Sequence, residues 1–380
     1  MRKKSTDSFA GKLKRFFLLL VAVGLVGGTV VFALRNDVDS RGRVTLWCVR
    51  GAPMAEETEK LVEEFNAQLT RRTLPVAVRV FENEKELSAA FQTGSPDILL
   101  CSHYDAFSLF SAEKLTDVSD RLTQPLAYSK TVRSRSNSIG RSFFPVGFSI
   151  PVMLVNTTLL PQFSFDDLED FFRNASVYMT ANGKAFYACE SFAELFMTYM
   201  IRCGGEFKAD YDAIEKDTLL LELYNLIAET AFDGSIALVN DCEEYVLGGA
   251  LPCAFVMSAE LKGISNDELS ISDVPRPGAA QNTDTFGEAY GYAITNGGCR
   301  STTDTAAFLS WLFSNDRCKT MARQNCLVSA EIDSNHARDD VFSEIVGESI
   351  ISLQNADSDY SVRRKEFDEQ ITAAYKRLLP

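Results

Sequence analysis

The chain has 380 residues, 46% of them hydrophobic and 24% charged, with a formal net charge of −14. That is enough apolar material for one large core or two smaller ones, and ordinary domain sizes favour two. An acidic surface of this kind repels the phosphate backbone of DNA and RNA, so no nucleic-acid partner is expected.

The charge is unevenly spread. Residues 1–35 carry seven Lys or Arg side chains and one acid, Asp7, so the remainder is more acidic than the whole. Phe16 to Leu34, "FFLLLVAVGLVGGTVVFAL", has no charged side chain and is long enough to cross a bilayer as a helix. Basic flanks stay cytoplasmic, so the chain after Arg35 is expected outside the membrane. The segment either remains as a signal anchor, which its length favours, or is cleaved after Val31-Phe32-Ala33. No Cys follows the apolar run closely enough for lipidation; the first is Cys48.

Next come alternating strands and helices. Val44 to Val49 reads as a strand. Pro53 then opens a helix that carries Met54, Thr58, Leu61, Val62, Phe65 and Leu69 at helical spacing. Val76 to Phe81 is a second strand, and a short helix from Glu84 points Leu87, Ala90 and Phe91 inward before Gly94. Asp97 to Leu100 is a third strand, and its break into Cys101-Ser102-His103-Tyr104-Asp105 is polar and aromatic at once. The β-α-β-α-β order implies a parallel, doubly wound sheet. In such sheets ligands bind beyond the carboxyl ends of the strands, where that break falls.

The middle is more helical. Apolar stripes mark helices over 165–173, 191–203 and 211–231, and Asp241 stands as a helix N-cap before "CEEYVLGG". A strand over Pro252–Met257 follows, then a Pro- and Gly-containing stretch to about residue 295. Thr302 or Thr303 is positioned to cap a helix over 304–314. A last helix over 361–379 carries Val362, Phe367, Ile371 and Tyr375. There is no internal repeat.

Metal and enzyme signatures are missing from the sequence. The nine cysteines include no CxxC pair, and His103 and His336 are the only histidines, so neither a structural zinc site nor any cofactor is expected. Most of the cysteines read as small buried apolar residues. No P-loop, HExxH, GxSxG or EF-hand loop occurs. Acidic pairs such as Asp166-Asp167 and Glu243-Glu244 stand at helix starts, where they suit the dipole.

Taken in order, several stretches resemble the extracellular solute-binding proteins of ABC importers, in particular the sugar-binding, maltose-binding-protein-like family. "VTLWCVRGAPMAEETEKLVEEFNAQ" is similar to that family's opening strand and helix. "FQTGSPDILLCSHYDAFSLFSAEKLTDVSD" is similar to its Gly-x-x-Pro-Asp strand and following helix, and "FFPVGFSIPVMLVNTTLL" to its first hinge crossing. "YVLGGALPCAFVMSAEL" and "TDTAAFLSWLFSNDRCKTMARQNCLVSAEID" resemble its later strand and helix pair. The likeness spans about residues 43–335. It implies an α/β fold in the form of a two-lobe (type II) periplasmic-binding-protein clamp. Each lobe would be a doubly wound sheet flanked by helices, the whole preceded by the N-terminal membrane helix or signal segment. It further implies residues 41–149 plus 287–326 in one lobe and 150–286 plus 327–380 in the other. Hinges would lie near Ile150 and Pro275–Phe286. A monomer that captures a small solute, most readily a carbohydrate, and delivers it to an ABC permease follows from the same likeness. Two departures stand out: the usual lipidated Cys is missing, and two Trp are few for a long oligosaccharide site.

A sugar presents apolar C–H faces and hydroxyl-dense edges, so its site needs aromatic plates and fixed polar groups. Strand ends offer Trp47 and Arg50, and Ser102, His103 and Tyr104; the hinge offers Phe148. In the second lobe the candidates are Tyr187, Glu190, Ser191 and Ser258, with Tyr290 and Tyr292 on the return to the first. Each has an ordinary structural reading too, as core aromatic or solvated charge. Tyr290 and Tyr292, two apart, must share one strand face. Three other functions fit less of the pattern: a sensory ectodomain that signals to a kinase, a secreted hydrolase, and an iron binder using paired tyrosines.

Overall fold

The computed structural model describes residues 42–69, 73–109, 114–123, 126, 128, 132–134, 138–278, 284–295, 302–330, 341–346, 350–352 and 359–379. The anchor expected over Phe16–Leu34, and Cys299 and His336, lie outside them. Among the described residues no helix is long and apolar enough to cross a membrane.

The first sheet begins in the expected order, with β1 (Val44–Val49), α1 (Ala55–Ala67), β2 (Val76–Phe81), α2 (Glu84–Phe91), β3 (Ile98–Ser102) and α3 (His103–Leu109). Two bounds differ: Pro53 and Leu69 lie outside α1, with Met54 its left-handed N-cap, and β3 runs on through Cys101 and Ser102, so the break falls at His103. β1 pairs in parallel with β2 and β3. Asn83 caps α2 by accepting the Glu86 N–H, as a polar residue before an apolar stripe should. After β4 (Val132–Ser134), β5 (Phe143–Ser149) is buried along its whole length. One residue, Ile150, separates it from β6 (Pro151–Asn156), which belongs to a second sheet.

α4 (Leu168–Asn182), β7 (Tyr187–Cys189), α5 (Phe192–Arg202), α6 (Thr218–Phe232), β8 (Ile236–Ala237), α7 (Cys242–Leu247), β9 (Cys253–Met257) and β10 (Leu269–Ser272) follow. The chain then passes through β11 (Thr285–Phe286) to β12 (Glu288–Ile294), α8 (Thr302–Leu312), α9 (Arg317–Gln324) and β13 (Val328–Ser329). It ends in α10 (Val341–Ile345), β14 (Ile350–Ser352) and α11 (Tyr360–Lys376). The described strands form a six-stranded sheet, β13-β5-β12-β3-β1-β2, and a five-stranded one, β10-β6-β9-β7-β8. A small three-stranded sheet, β11-β14-β4, lies beside one crossing.

Both large sheets are mixed rather than purely parallel, because β12 runs antiparallel to β3 and β5, and β6 antiparallel to β9. Chain returning across a hinge must re-enter the sheet from the opposite end, and that reverses its direction. The first sheet also takes in Val328 and Ser329, which pair with Phe148 and Gly147, so it reaches past the boundary expected at residue 326. Asp241 precedes α7 in the left-handed region and makes no side-chain cap, so its expected capping role is not realised. Val362 is exposed; the buried stripe of α11 is Tyr360, Phe367, Ile371 and Tyr375.

Strand alternation distributes the core among three clusters. In β6, Met153 and Val155 face α4, α5, α6 and α11, whereas Val152 and Leu154 face the side that carries α7. In β1, Val44, Leu46 and Cys48 face α1, α8 and α9, and Trp47 faces the other way. The eight described cysteines are free thiols, six of them buried, in keeping with small apolar core residues.

Candidate ligand-binding site

Just past the carboxyl ends of β1, β3 and β9, where the two large sheets approach one another, lies a cleft of about 580 Å3. The first sheet and its connections contribute Gly51, Pro53, Glu84, Tyr104, Asp105, Ser149, Glu288 and Tyr290. From the second come Glu194, Met257, Ala259 and Glu260, and α11 closes one side with Ser361, Arg364, Lys365 and Asp368. α11 packs against α5 and α6 and also touches α3 of the first sheet, so it spans the cleft wall.

Arg364 is the centre of the polar lining. Its guanidinium donates to Glu194 at the start of α5 and lies 3.6 Å from Glu288 at the start of β12. It also sits 5.8 Å from the ring centre of Tyr104, a cation–π distance. Tyr104 stacks on Tyr360 of α11 with ring centres 5.1 Å apart. Tyr290 donates its hydroxyl to Glu288 at 3.3 Å. Neutral donors hold two further carboxylates: Ser102 donates to Asp105 at 2.8 Å, and Ser191 and the Ala193 N–H donate to Asp368 at 3.0 and 2.7 Å. The Met257 N–H donates to Glu260 at 3.0 Å.

Burial pushes the Glu194 carboxyl up, to about 7, against the pull of the Arg364 guanidinium. Glu260 is pushed up to about 8, first by desolvation against the cleft wall and then by the Glu194 charge. The rest of that side chain is open to solvent, and water screens part of the effect. Asp105, Glu288 and Asp368 are raised as well, each mainly by burial. Burial opposes the charge of Arg364, but Glu194 and Glu288 outweigh it and hold the guanidinium protonated. Near neutral pH the lining therefore combines carboxyl groups able to donate or accept hydrogen bonds, phenol rings, one largely buried cation, Arg364, and the exposed Lys365.

Of the sequence candidates, Tyr104 and Tyr290 line this cleft, and Ser102 and Ser191 act one step behind it through Asp105 and Asp368. Ser258 is fully buried between two lining residues. Its hydroxyl accepts the Ile150 N–H at 3.1 Å and its own N–H donates to the Ile150 carbonyl, so it fastens the crossing rather than facing a ligand. Arg50 turns to the surface and pairs with Glu82 through two nitrogens, at 2.9 and 3.1 Å. Glu190 is exposed, with Glu243 and Asp241 as acidic neighbours.

Four aromatic candidates are core residues. Trp47 packs on Phe81 and Phe91 with ring centres 5.1 and 5.2 Å away. Phe148 is buried at the end of β5. The Tyr187 hydroxyl meets Thr230, and that of Tyr292 meets Thr58, both beneath the helix layers. Tyr290 and Tyr292 do share a strand face, but only Tyr290 reaches its cleft end. His103 is buried edge-on to Phe143, bonded to Ser138, and desolvation lowers its pKa to about 4, so it is neutral at physiological pH.

Among the described residues no group of His, Cys, Asp and Glu is placed to hold a metal ion. Sequence reasoning missed Asp105, Glu194, Glu260, Glu288, Arg364 and Asp368. The available signal was a charge on an otherwise apolar helix face: Glu194 within "FAELFMTYMI", and Arg364 between Tyr360 and Phe367.

No family model and no curated protein sequence matches the chain. Solved structures do. A cyclic α-maltosyl-1,6-maltose binding protein from Arthrobacter globiformis matches with a TM-score of 0.66 at 14% identity, over 88% of this chain and 99% of that one. An ABC substrate-binding protein from Listeria monocytogenes, in complex with cycloalternan, matches with a TM-score of 0.64 at 14% identity, over 88% and 96%. The spermidine/putrescine ABC transporter substrate-binding protein of Streptococcus pneumoniae matches with a TM-score of 0.60 at 10% identity, over 88% and 99%. The shared feature is the fold, that of the substrate-binding proteins of ABC transporters.

Proposed function

We propose that this protein is an extracytoplasmic solute-binding protein that captures a carbohydrate between two closing lobes and delivers it to an ABC permease, without catalysing a reaction. One lobe comprises the first sheet, residues 41–149 and 287–330; the other comprises the second sheet and α11. The single observation that carries the reading is the position of the cleft. It lies at the carboxyl ends of strands from both sheets, beside the crossing at Ile150, where closure brings two walls onto one ligand. The Tyr104 and Tyr290 rings suit the apolar faces of a sugar, and the carboxyl groups around Arg364 suit its hydroxyls. Of the fold relatives described above, one is a cyclic α-maltosyl-1,6-maltose binding protein and another is in complex with cycloalternan, which supports a carbohydrate. Phe16–Leu34 would hold the protein to the membrane with residues 36–380 outside, as a monomer.

The test is a thermal-shift panel of the full chain with mono-, di- and oligosaccharides, followed by small-angle scattering with any sugar that stabilises. A ligand at 100 times its dissociation constant stabilises by about 2.7 kcal/mol. The expected result is a shift with at least one sugar, accompanied by a smaller radius of gyration. A bound sugar with no compaction would overturn the closing mechanism, and no response across the panel would overturn the carbohydrate assignment. A reporter fused after Pro380 that is active only in the cytoplasm would overturn the topology.

A further inference from the structure

The cleft lining is rich in acid. Glu84, Asp105, Glu194, Glu260, Glu288 and Asp368 face two bases, Arg364 and Lys365. Lys365 is exposed and makes no ion pair with a described residue, so it does little to neutralise the interior. Arg364 is different. It is largely buried, touches carboxylates from both sheets, and lies over the face of Tyr104, itself backed by Tyr360. Carboxylates on two sides and an aromatic face on a third make a seat for a planar cation. Serines and backbone N–H groups hold Asp105, Asp368 and Glu260. The guanidinium is therefore the one buried counter-ion for the described lining.

We propose that Arg364 is the specificity-determining residue of the cleft: its guanidinium permanently fills a seat that an organic cation would otherwise take, and so reserves the remaining volume for uncharged, hydroxyl-rich solutes. The proposal rests on the solute-capture reading for the identity of the cleft. The occupied seat is a separate observation. Without Arg364, Glu194 and Glu288 would face each other unneutralised in a water-poor setting, and either a proton or a free cation must replace it. A cation of the same shape, carrying its own short alkyl chain, should fit where the side chain was. With Arg364 in place the same carboxylates are already paired, and a second cation meets the positive charge of the first.

The experiment is chemical rescue in the full chain. Parent, Arg364→Ala and Arg364→Lys are titrated calorimetrically with agmatine, a butylguanidinium that also carries a terminal ammonium, with spermidine as a polyamine that lacks the planar group and urea as a planar neutral control. Arg364→Ala is expected to bind agmatine at least about tenfold more tightly than the parent does, with urea inert and spermidine weaker than agmatine. Arg364→Lys keeps the charge in the seat and should exclude agmatine as the parent does. Should Arg364→Ala fold only with agmatine present, that recovery is the same positive readout. Equal agmatine binding by parent and Arg364→Ala, or an Arg364→Ala protein that agmatine neither binds nor restores, would overturn the proposal. Failure of sugars to bind the parent would remove the carbohydrate reading and leave the agmatine result standing, so the two failures are distinguishable.

Discussion

Arg50 and Arg364 each meet a carboxylate, but in opposite surroundings. Arg50, at the end of β1, grips Glu82 through two nitrogens on a surface open to water, each side chain more than 60% exposed. Arg364, on the last helix, is 19% exposed and joins Glu194 at the start of α5 to Glu288 at the start of β12. Geometry alone would rank the Arg50 pair higher, since its contacts are doubled. Surroundings reverse that ranking. Water screens the surface pair and competes for both partners, whereas removing one member of a buried set strands the others without solvation. Well-formed contacts do not identify a functional charge; a desolvated charge with several partners does.

The widest gap between the two should appear in stability. Arg364→Ala is expected to destabilise the fold by about 3–5 kcal/mol, because it leaves buried carboxylates unpaired. Denaturant unfolding with matched slopes would measure it. Arg364→Lys should recover part of the loss, since the ammonium restores charge but not the planar fork.

A second contrast is in pH dependence. Glu194 is raised to about 7 in the folded chain, above an unfolded value near 4.3. The folded state therefore binds the proton more tightly, and the stability linked to it is complete below about pH 4 and lost as pH rises through about 7. Asp105, Glu288 and Asp368 shift in the same direction. The parent should melt at progressively lower temperature between about pH 5 and 8, and Glu194→Gln should flatten that slope. Parallel slopes in the two proteins would rule Glu194 out as the source.

Tyr104 offers a smaller effect on the cleft side. Tyr104→Ala removes the ring that lies on Tyr360 and under Arg364, and should cost about 1–2 kcal/mol of stability. It should also weaken binding of any sugar found in the panel, whereas Tyr104→Phe should keep most of the stability. The smallest effect belongs to Arg50→Ala, which should leave melting temperature and sugar binding within error of the parent. A clear loss of binding there would put Arg50 back among the contacts.

The sequence made the scaffold legible wherever the signal was local. The apolar stripe of α1 and the apolar run of β3 fold as their spacing implies, whereas Pro53 lies two residues ahead of α1 and the runs either side of Ile150 were legible only through the family resemblance. Strand ends also pointed to Tyr104, and the return to the first lobe to Tyr290. The strand-end rule also named Trp47, and the hinge, the second lobe and the return strand named Phe148, Tyr187 and Tyr292; all four are core, because a position along the chain does not say which wall a side chain faces. Arg364 and Glu194 stand 170 positions apart and look like ordinary helix charges until the helices pack. Their one local mark was a charge lying on a buried stripe, Arg364 four residues after Tyr360 and three before Phe367. Glu288 carries no such mark, since a lone acid before a strand reads as a loop residue.

The most direct measurement of the whole account compares ligand charge at constant shape. Full-length protein would be titrated with maltose, with its 2-amino-2-deoxy derivative as the cationic counterpart, and with maltose 6′-phosphate as the anionic one. A cleft whose cation seat Arg364 already fills should take the neutral sugar most tightly, the amino sugar less well, and reject the phosphate ester outright. Binding of the anionic sugar in preference to the neutral one would contradict the account.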